Sequence, residues 1–337
     1  MAKIVLGIGS SHGPQLALPP TQWSRRAAAD RQNPQLWFQG VTYSYPDLLE
    51  LRGSKRFEAE LDEEKAQRRF DACQRAIAHL ADTLARTAPD VVVILGDDQH
   101  EAFGEDNMPA INVYWGETID DAPAESEDWG QAYMYTTAPL GNPPRNRVSH
   151  PTDSALGLHL IEHLTGAGFD VAHSRYLAPE HHHGTIGHAF YYVYRRLMNN
   201  RVLRNVPILL NTYYWPNQVP VKRCYQLGSA LRQAIDTWDS DARVAIVASG
   251  GLSHFVIEED LDEQIIDALR RRDADQLTSI PDVRFNSGTS EIRNWIAMAG
   301  ALAETDLEMS LVDYVPCYRT EAGTGCAMGF AEWQEKS

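Results

Sequence analysis

Long apolar runs are missing from this sequence. No stretch approaches the about 18 to 20 unbroken apolar residues that a membrane-spanning helix requires, so no span is expected. Basic charge is scarce as well: 30 Lys and Arg stand against 46 Asp and Glu, a formal net charge of −16. Nucleic acid and anionic membrane surfaces repel such a chain unless a basic patch is segregated from the acidic bulk. The basic runs "RRAAADRQ", "YRRL" and "LRRRDAD" are short and interrupted, and each reads as a solvated helix face. Neither partner is expected. Cysteine is sparse: Cys73, Cys224, Cys317 and Cys326 show no C-x-x-C spacing and read as reduced, structural thiols. The opening "MAKIVLGIGSSHGP" has a short apolar run that ends in a turn and lacks a signal peptide's cleavage region, so a cytoplasmic chain is expected.

Core material is plentiful, with 43% of 337 residues hydrophobic. A single domain over 1–337 is the expectation. "KIVLGIG", "VVVILG", "VPILLNTYYWP" and "ARVAIVASGG" read as buried strands. The unbroken apolar character of "VVVILG" suits a strand covered on both faces of a mostly parallel sheet. Between the strands lie helical periodicities. Phe70, Cys73, Ile77, Leu80 and Leu84 recur at three- and four-residue steps within about 61–86, and "VKRCYQLGSALRQAIDTW" is similar. Residues 15–60 mix Pro, Gly and aromatics without period and predict surface loops with short helices. "FDVAHSRYL" predicts another strand, and helices at 260–275 and 288–303 close the body. The alternation predicts an α/β layered fold: a central, mostly parallel or mixed sheet flanked by helices, with its site at the carboxyl ends of strands.

Three of the strand ends deliver a histidine: "KIVLGIGSSH" gives His12, "DVVVILGDDQH" gives His100 and "ARVAIVASGGLSH" gives His254. Ligands of open α/β sheets bind outside the strands' carboxyl ends, so three such imidazoles can converge. Two neutral imidazoles and a carboxylate suit a non-haem Fe(II) site that keeps one face open, and they also suit zinc with a bound water. Asp97, Asp98, Glu101, Glu180 and Glu291 are candidate carboxylates by composition, and pattern alone leaves the choice open.

"GIGSSHGP", "PDVVVILGDDQHEAF", "HHHGT", "SGGLSH" and "SGTSEIRNWIAMAGAL" resemble, in that order, the landmarks of the class III extradiol ring-cleavage dioxygenases, the family of the protocatechuate 4,5-dioxygenase β chain. The likeness runs from residue 3 to about 330. It implies an Fe(II) enzyme that opens the ring of a catechol with dioxygen, with His12, His100 and Glu291 holding the metal. It implies His254 as the acid and base that takes a proton from the bound catechol and later returns one, a role suited to imidazole. His183 matches a second pocket histidine, with its neighbours His181 and His182 as alternatives. A homodimer is expected.

Two departures bear on specificity. Residues about 15–88 form a long insertion between the first two histidines, and it can supply a lid, with Trp37, Tyr43 and Tyr45 walling an aromatic site. "DDQH" stands where the protocatechuate enzyme has Asn-Asp-His, which shifts the expectation towards gallate, O-methylgallate or a hydroxylated biphenyl. Arg319 and Arg293 are the arginines considered for a substrate carboxylate. A metal-dependent hydrolase on the same scaffold and a non-catalytic binding protein are the alternative functions.

Overall fold

The computed structural model describes residues 1–53, 55–122, 141, 143–181 and 184–336. In chain order the strands are β1 (Lys3–Ser10), β2 (Leu36–Phe38), β3 (Val41–Tyr43), β4 (Val91–Asp97), β5 (Ile111–Tyr114), β6 (Thr118–Asp121), β7 (Val148–Pro151), β8 (Ala172–Ser174), β9 (Asn205–Leu210), β10 (Arg243–Ser249), β11 (His254–Val256), β12 (Leu307–Tyr318) and β13 (Thr324–Glu335). The helices are α1 (Trp23–Gln32), α2 (Tyr45–Arg52), α3 (Lys55–Glu58), α4 (Glu63–Thr87), α5 (Ser154–Gly166), α6 (His188–Tyr192), α7 (Val221–Thr237), α8 (Glu259–Arg271), α9 (Ala274–Ser279) and α10 (Ile292–Leu302).

β1, β10, β4 and β9 pair in parallel at the centre of a nine-stranded sheet ordered β11-β13-β1-β10-β4-β9-β5-β8, with β12 joined to β13. β13 and β5 run antiparallel to their central neighbours, so the sheet is mixed. Side chains alternate across β4: Val91, Val93 and Leu95 enter one core cluster, and Val92 and Ile94 enter the other. Burial on both faces explains why this strand has no polar alternation in sequence. The first cluster lies under α5, α7, α8 and α10, and the second under α4 and α6.

α4 forms where its period predicts. Asp62 accepts from the Lys65 N–H at its start, and Cys73, Ile77, Leu80 and Leu84 make its buried stripe. It stops at Ala88, which turns left-handed at φ 44°. α7 and α10 approach closely because both carry glycine at the crossing. A Cβ on Gly228 would stand 1.8 Å from the Ala297 carbonyl oxygen, and one on Gly300 would stand 2.0 Å from that of Tyr225.

Some expectations needed revision. Residues 15–60 hold the short helices expected there, α1 and α2, and beyond them the β2–β3 hairpin, whose Leu36 and Phe38 join Tyr45 and Leu48 in a core of their own. The strand expected in "FDVAHSRYL" shrinks to the three residues of β8. The long β12–β13 hairpin, not anticipated, closes the chain. β12 is half-exposed over most of its length and carries no clean apolar alternation, so its sequence resembles a loop. Among the described residues no helix is long and apolar enough to cross a membrane.

Candidate metal centre

The parallel pairing of β1, β10 and β4 brings three carboxyl ends to one edge, with Ser10 beside Ser249. His12 follows β1, and its ring is buried against β10. His12 Nδ1 lies 3.0 Å from Ser249 Oγ, and that hydroxyl donates its single hydrogen to the Ala189 carbonyl at 2.6 Å. The hydroxyl can therefore only accept from His12, which must carry its proton on Nδ1. Burial pushes the imidazole down to about 4, so the ring is neutral near pH 7 and Nε2 presents an unshared pair. Nε2 is buried and has no hydrogen-bond partner among the described residues.

Glu291 faces it. This residue ends a short 3-10 turn, Ser287–Glu291, that leads into α10. α10 is anchored to the same edge, because Trp295 Nε1 donates to Gly250 O at 2.8 Å and Asn294 Nδ2 donates to Ser249 O at 2.9 Å. Glu291 Oε2 accepts from the Gly251 N–H at 2.5 Å and lies 3.6 Å from His12 Nε2. Burial pushes this carboxyl up, but His254 and His12 outweigh it and hold Glu291 well below the usual carboxylate range.

Asp97 is the last residue of β4, and the two-residue period places it on the face of Val93 and Leu95, the face that α10 covers. Its Oδ2 lies 3.7 Å from His188 Nε2, and its Oδ1 is buried without a partner among the described residues. Burial, reinforced by the charge of Glu291, raises Asp97 to about 7. His188 opens α6, and its ring stands edge-on to His12 with centroids 4.7 Å apart. Burial lowers this imidazole, but the charges of Glu101 and Asp97 prevail and raise it to about 10. One potential ligand atom from each of His12, Asp97, His188 and Glu291 lies within 4.8 Å of the others, and all four residues are buried. Two imidazoles, two carboxylates and two orphaned buried acceptors fit a divalent metal ion better than any arrangement of protein hydrogen bonds.

His254 stands at the rim of this group. Its Nδ1 lies 2.7 Å from the Leu252 carbonyl, which can only accept, so Nδ1 carries a proton. Its backbone is clamped by Thr289, whose hydroxyl accepts from His254 N at 3.1 Å and donates to His254 O at 3.0 Å. Nε2 is thereby aimed at Glu291 Oε1, 3.3 Å away. Burial lowers the ring, but Glu291's charge and hydrogen bond overcome it and raise it to about 9. The glycines of "SGGLSH" acquire a steric reason here: a Cβ on Gly251 would sit 2.7 Å from the His254 ring.

The structure thus brings His12, Glu291 and His254 together, as expected from sequence. It does not bring in His100, whose ring stacks on Tyr214 with centroids 3.6 Å apart. The residue turns at φ 59° in the loop after β4, so the strand end offers Asp97 and Gln99 instead. Gln99 Nε2 reaches Asp97 at 3.3 Å and Glu291 at 3.5 Å. His183 and His182 lie outside the described residues, and His181 pairs with Asp106 at the surface. Asp98 accepts from the Ala102 and Phe103 N–H groups and so caps a turn, while Glu180 is exposed. Arg319 is bound to Asp30 and Gln15, and Arg293 donates to the carbonyls of Val219, Thr212 and Phe285, so both are engaged within the protein. His188 was missed. Its signal was a histidine directly after glycine at the head of the wholly buried run "AFYYV", where a polar ring needs a partner.

A layered α/β chain that gathers two imidazoles and two carboxylates at the carboxyl edge of its parallel strands has a group that could hold a metal. The family described as the catalytic LigB subunit of aromatic ring-opening dioxygenase matches residues 57–325, and the chain belongs to that family. A gallate dioxygenase of Pseudomonas putida is 29% identical over 178 residues, 48% of this chain and 49% of that protein. A 2,3-dihydroxyphenylpropionate/2,3-dihydroxicinnamic acid 1,2-dioxygenase of Comamonas testosteroni is 25% identical over 183 residues, 54% of this chain and 49% of that protein. The chain spans about half the length of these curated relatives.

Proposed function

We propose that this chain is a non-haem Fe(II) extradiol dioxygenase acting on a catechol that carries a carboxylate. The observation that carries the reading is the pairing of His12 Nε2, an unshared pair fixed by Ser249, with the ionised Glu291 inside a buried group of two imidazoles and two carboxylates. In this proposal His12, His188 and Glu291 hold the metal and Asp97 stands within reach as a second carboxylate, so that His188 takes the role expected of His100. The relatives support this substrate class, since both names specify a dihydroxylated or trihydroxylated aromatic acid.

Bound iron would supply the template for the catechol oxygens and dioxygen, and the path for electrons between them. The protein supplies geometry and proton transfer. His254 is the proton carrier: Leu252 occupies Nδ1, so Nε2 is the atom that would take the catechol proton, once a cation at Glu291 offsets the charge that raises the ring, and return it to the product side. Thr289 fixes the backbone that carries this ring, and Gly251 lets the ring approach Glu291. We further read the chain as a single catalytic domain in which residues about 15–88 shape the pocket. In support, Leu36, Phe38, Tyr45 and Leu48 pack on Val256, two residues beyond His254.

The test is anaerobic purification with metal analysis, followed by oxygen-electrode assays on a panel that includes gallate and dihydroxyphenylpropionate. Iron content with oxygen uptake and a yellow ring-opened product is expected. Stoichiometric zinc with no oxygen uptake on any catechol would favour a hydrolase and overturn the reading.

A further inference from the structure

Glu101 is a buried carboxylate to which the chemistry above gives no task. Both of its oxygens reach His188: Oε1 accepts from the His188 backbone N–H at 2.9 Å, and Oε2 lies 2.6 Å from His188 Nδ1. The carboxylate therefore grips the residue at both its main chain and its ring, which fixes the side-chain rotation as well as the position. An ionised carboxylate can only accept, so Nδ1 carries the proton and Nε2 is the atom turned towards Asp97, 3.7 Å away. Glu101 is itself held in place, because Asp98 accepts from the Ala102 and Phe103 N–H groups and so folds the turn that presents it. Gly187 leaves the room: a Cβ there would stand 2.5 Å from Glu101 Oε2.

We propose that Glu101 is a positioning residue that, with Gly187, clamps His188 so that its Nε2 faces the metal group. A metal-bound histidine commonly donates its other N–H to a carboxylate, which sets the tautomer and strengthens the ligand, and loss of such a partner typically costs about 10- to 100-fold in metal affinity. The inference rests on the reading of the four-residue group as a metal site. The clamp also explains "DDQHEAF" in a way that the histidine inside it does not: the segment delivers Asp97 and Glu101, four residues apart, to opposite ends of the His188 ring.

The test uses Co(II) as the probe and two observables. In metal-free protein carrying 15N-labelled histidine, His188 should show a protonated, strongly hydrogen-bonded Nδ1, assigned by its loss in His188→Gln. Glu101→Ala should abolish that low-field proton, whereas Glu101→Gln, whose amide oxygen still accepts, should retain it at higher field. Co(II) titration followed by visible absorption should show about a 10- to 100-fold weaker site in Glu101→Ala and in Gly187→Ala, and a smaller loss in Glu101→Gln. Circular dichroism and unfolding midpoints close to wild type keep a folding defect apart from a positioning one. Unchanged Co(II) affinity in Glu101→Ala, or a His188 Nδ1 that carries no proton, would overturn the proposal. If the wild-type protein binds no Co(II), the metal reading fails by itself; the Nδ1 signal then decides the clamp, its loss in Glu101→Ala supporting it and its persistence refuting it.

Discussion

His12 Nε2 and Glu291 Oε2 face each other across 3.6 Å with no hydrogen between them, because Ser249 fixes the His12 proton on the far side of the ring. An unshared pair and an anionic oxygen repel at that distance unless a cation serves both. His12→Ala and Glu291→Ala should each lower metal affinity by more than about 100-fold, beyond the range seen when only a ligand's hydrogen-bond partner is lost. Metal content after anaerobic reconstitution measures this. A variant that still holds one equivalent would remove its residue from the ligand set.

His254 differs in that its Nδ1 is spent on Leu252 and its Nε2 meets Glu291 from the rim of the group. His254→Ala should keep stoichiometric metal and lose turnover by about 10²- to 10⁴-fold, the usual worth of a general acid and base. Parallel metal analysis and oxygen-uptake rates check the division of roles. Loss of metal with loss of turnover would place His254 among the ligands.

The parts of this site that the sequence announces are those fixed by local pattern. A buried strand followed within a few residues by a polar ligand is legible, which is why His12 and His254 stood out. His100 shared that signature, but one residue of turn geometry decides where a side chain after a strand points, and its left-handed φ sends it to Tyr214. Asp97 and His188 depend on register and helix docking. The two-residue period of β4 selects Asp97 over Asp98 only once the covering helices are known, and His188 needs Glu101 from another segment. The fold was readable from the central strands, whose burial on both faces leaves a continuous apolar run. The β12–β13 hairpin was not, because its half-exposed strand gives no such run.

Gly228 lies where α7 meets α10, and the added Cβ of Gly228→Ala would fall 1.8 Å from the Ala297 carbonyl oxygen, a backbone atom that cannot swing aside. The helices must part, at a cost of about 3 kcal/mol, the upper end for overpacking. Since α10 begins directly after Glu291, metal affinity should fall together with the unfolding midpoint. Urea unfolding and Co(II) titration of the same variant test the link. A destabilised variant with unchanged metal affinity would show that Glu291 is held independently of α10.

Arg319 is nearly inaccessible and is paired with Asp30 at 2.8 Å, which joins α1 to the β12–β13 hairpin. Thr324 donates to the same carboxylate at 2.6 Å. Asp30→Ala strands a buried guanidinium and should cost about 3–5 kcal/mol. Arg319→Met added to Asp30→Ala should recover much of that loss, because the stranded charge goes with it. Chemical denaturation of the two single variants and the double variant closes the cycle. Simple additivity of the two losses would show that the pair is not coupled.

Asp262 is wholly buried behind the His254 strand, accepting from Ser253 N at 2.8 Å, Ser253 Oγ at 2.6 Å and the Tyr314 hydroxyl at 2.8 Å. Burial raises this carboxyl to about 7, against which the Ser253 and Tyr314 hydrogen bonds pull only part of the way back. With the folded-state value above the ordinary 3.8, the native protein binds more protons than the unfolded chain between the two values. Its contribution is therefore most favourable below pH 4 and is lost as pH rises towards 7, by roughly 4 kcal/mol at most at 1.36 kcal/mol per unit. Asp262→Asn carries no charge to desolvate, and both facing hydroxyls can accept from its amide. The stability of Asp262→Asn relative to wild type should accordingly rise between pH 5 and pH 8, a trend that urea unfolding of the metal-free proteins resolves. A difference that stays flat over this range would mean that Asp262 is already ionised in the fold and that its three donors, rather than its burial, set its charge.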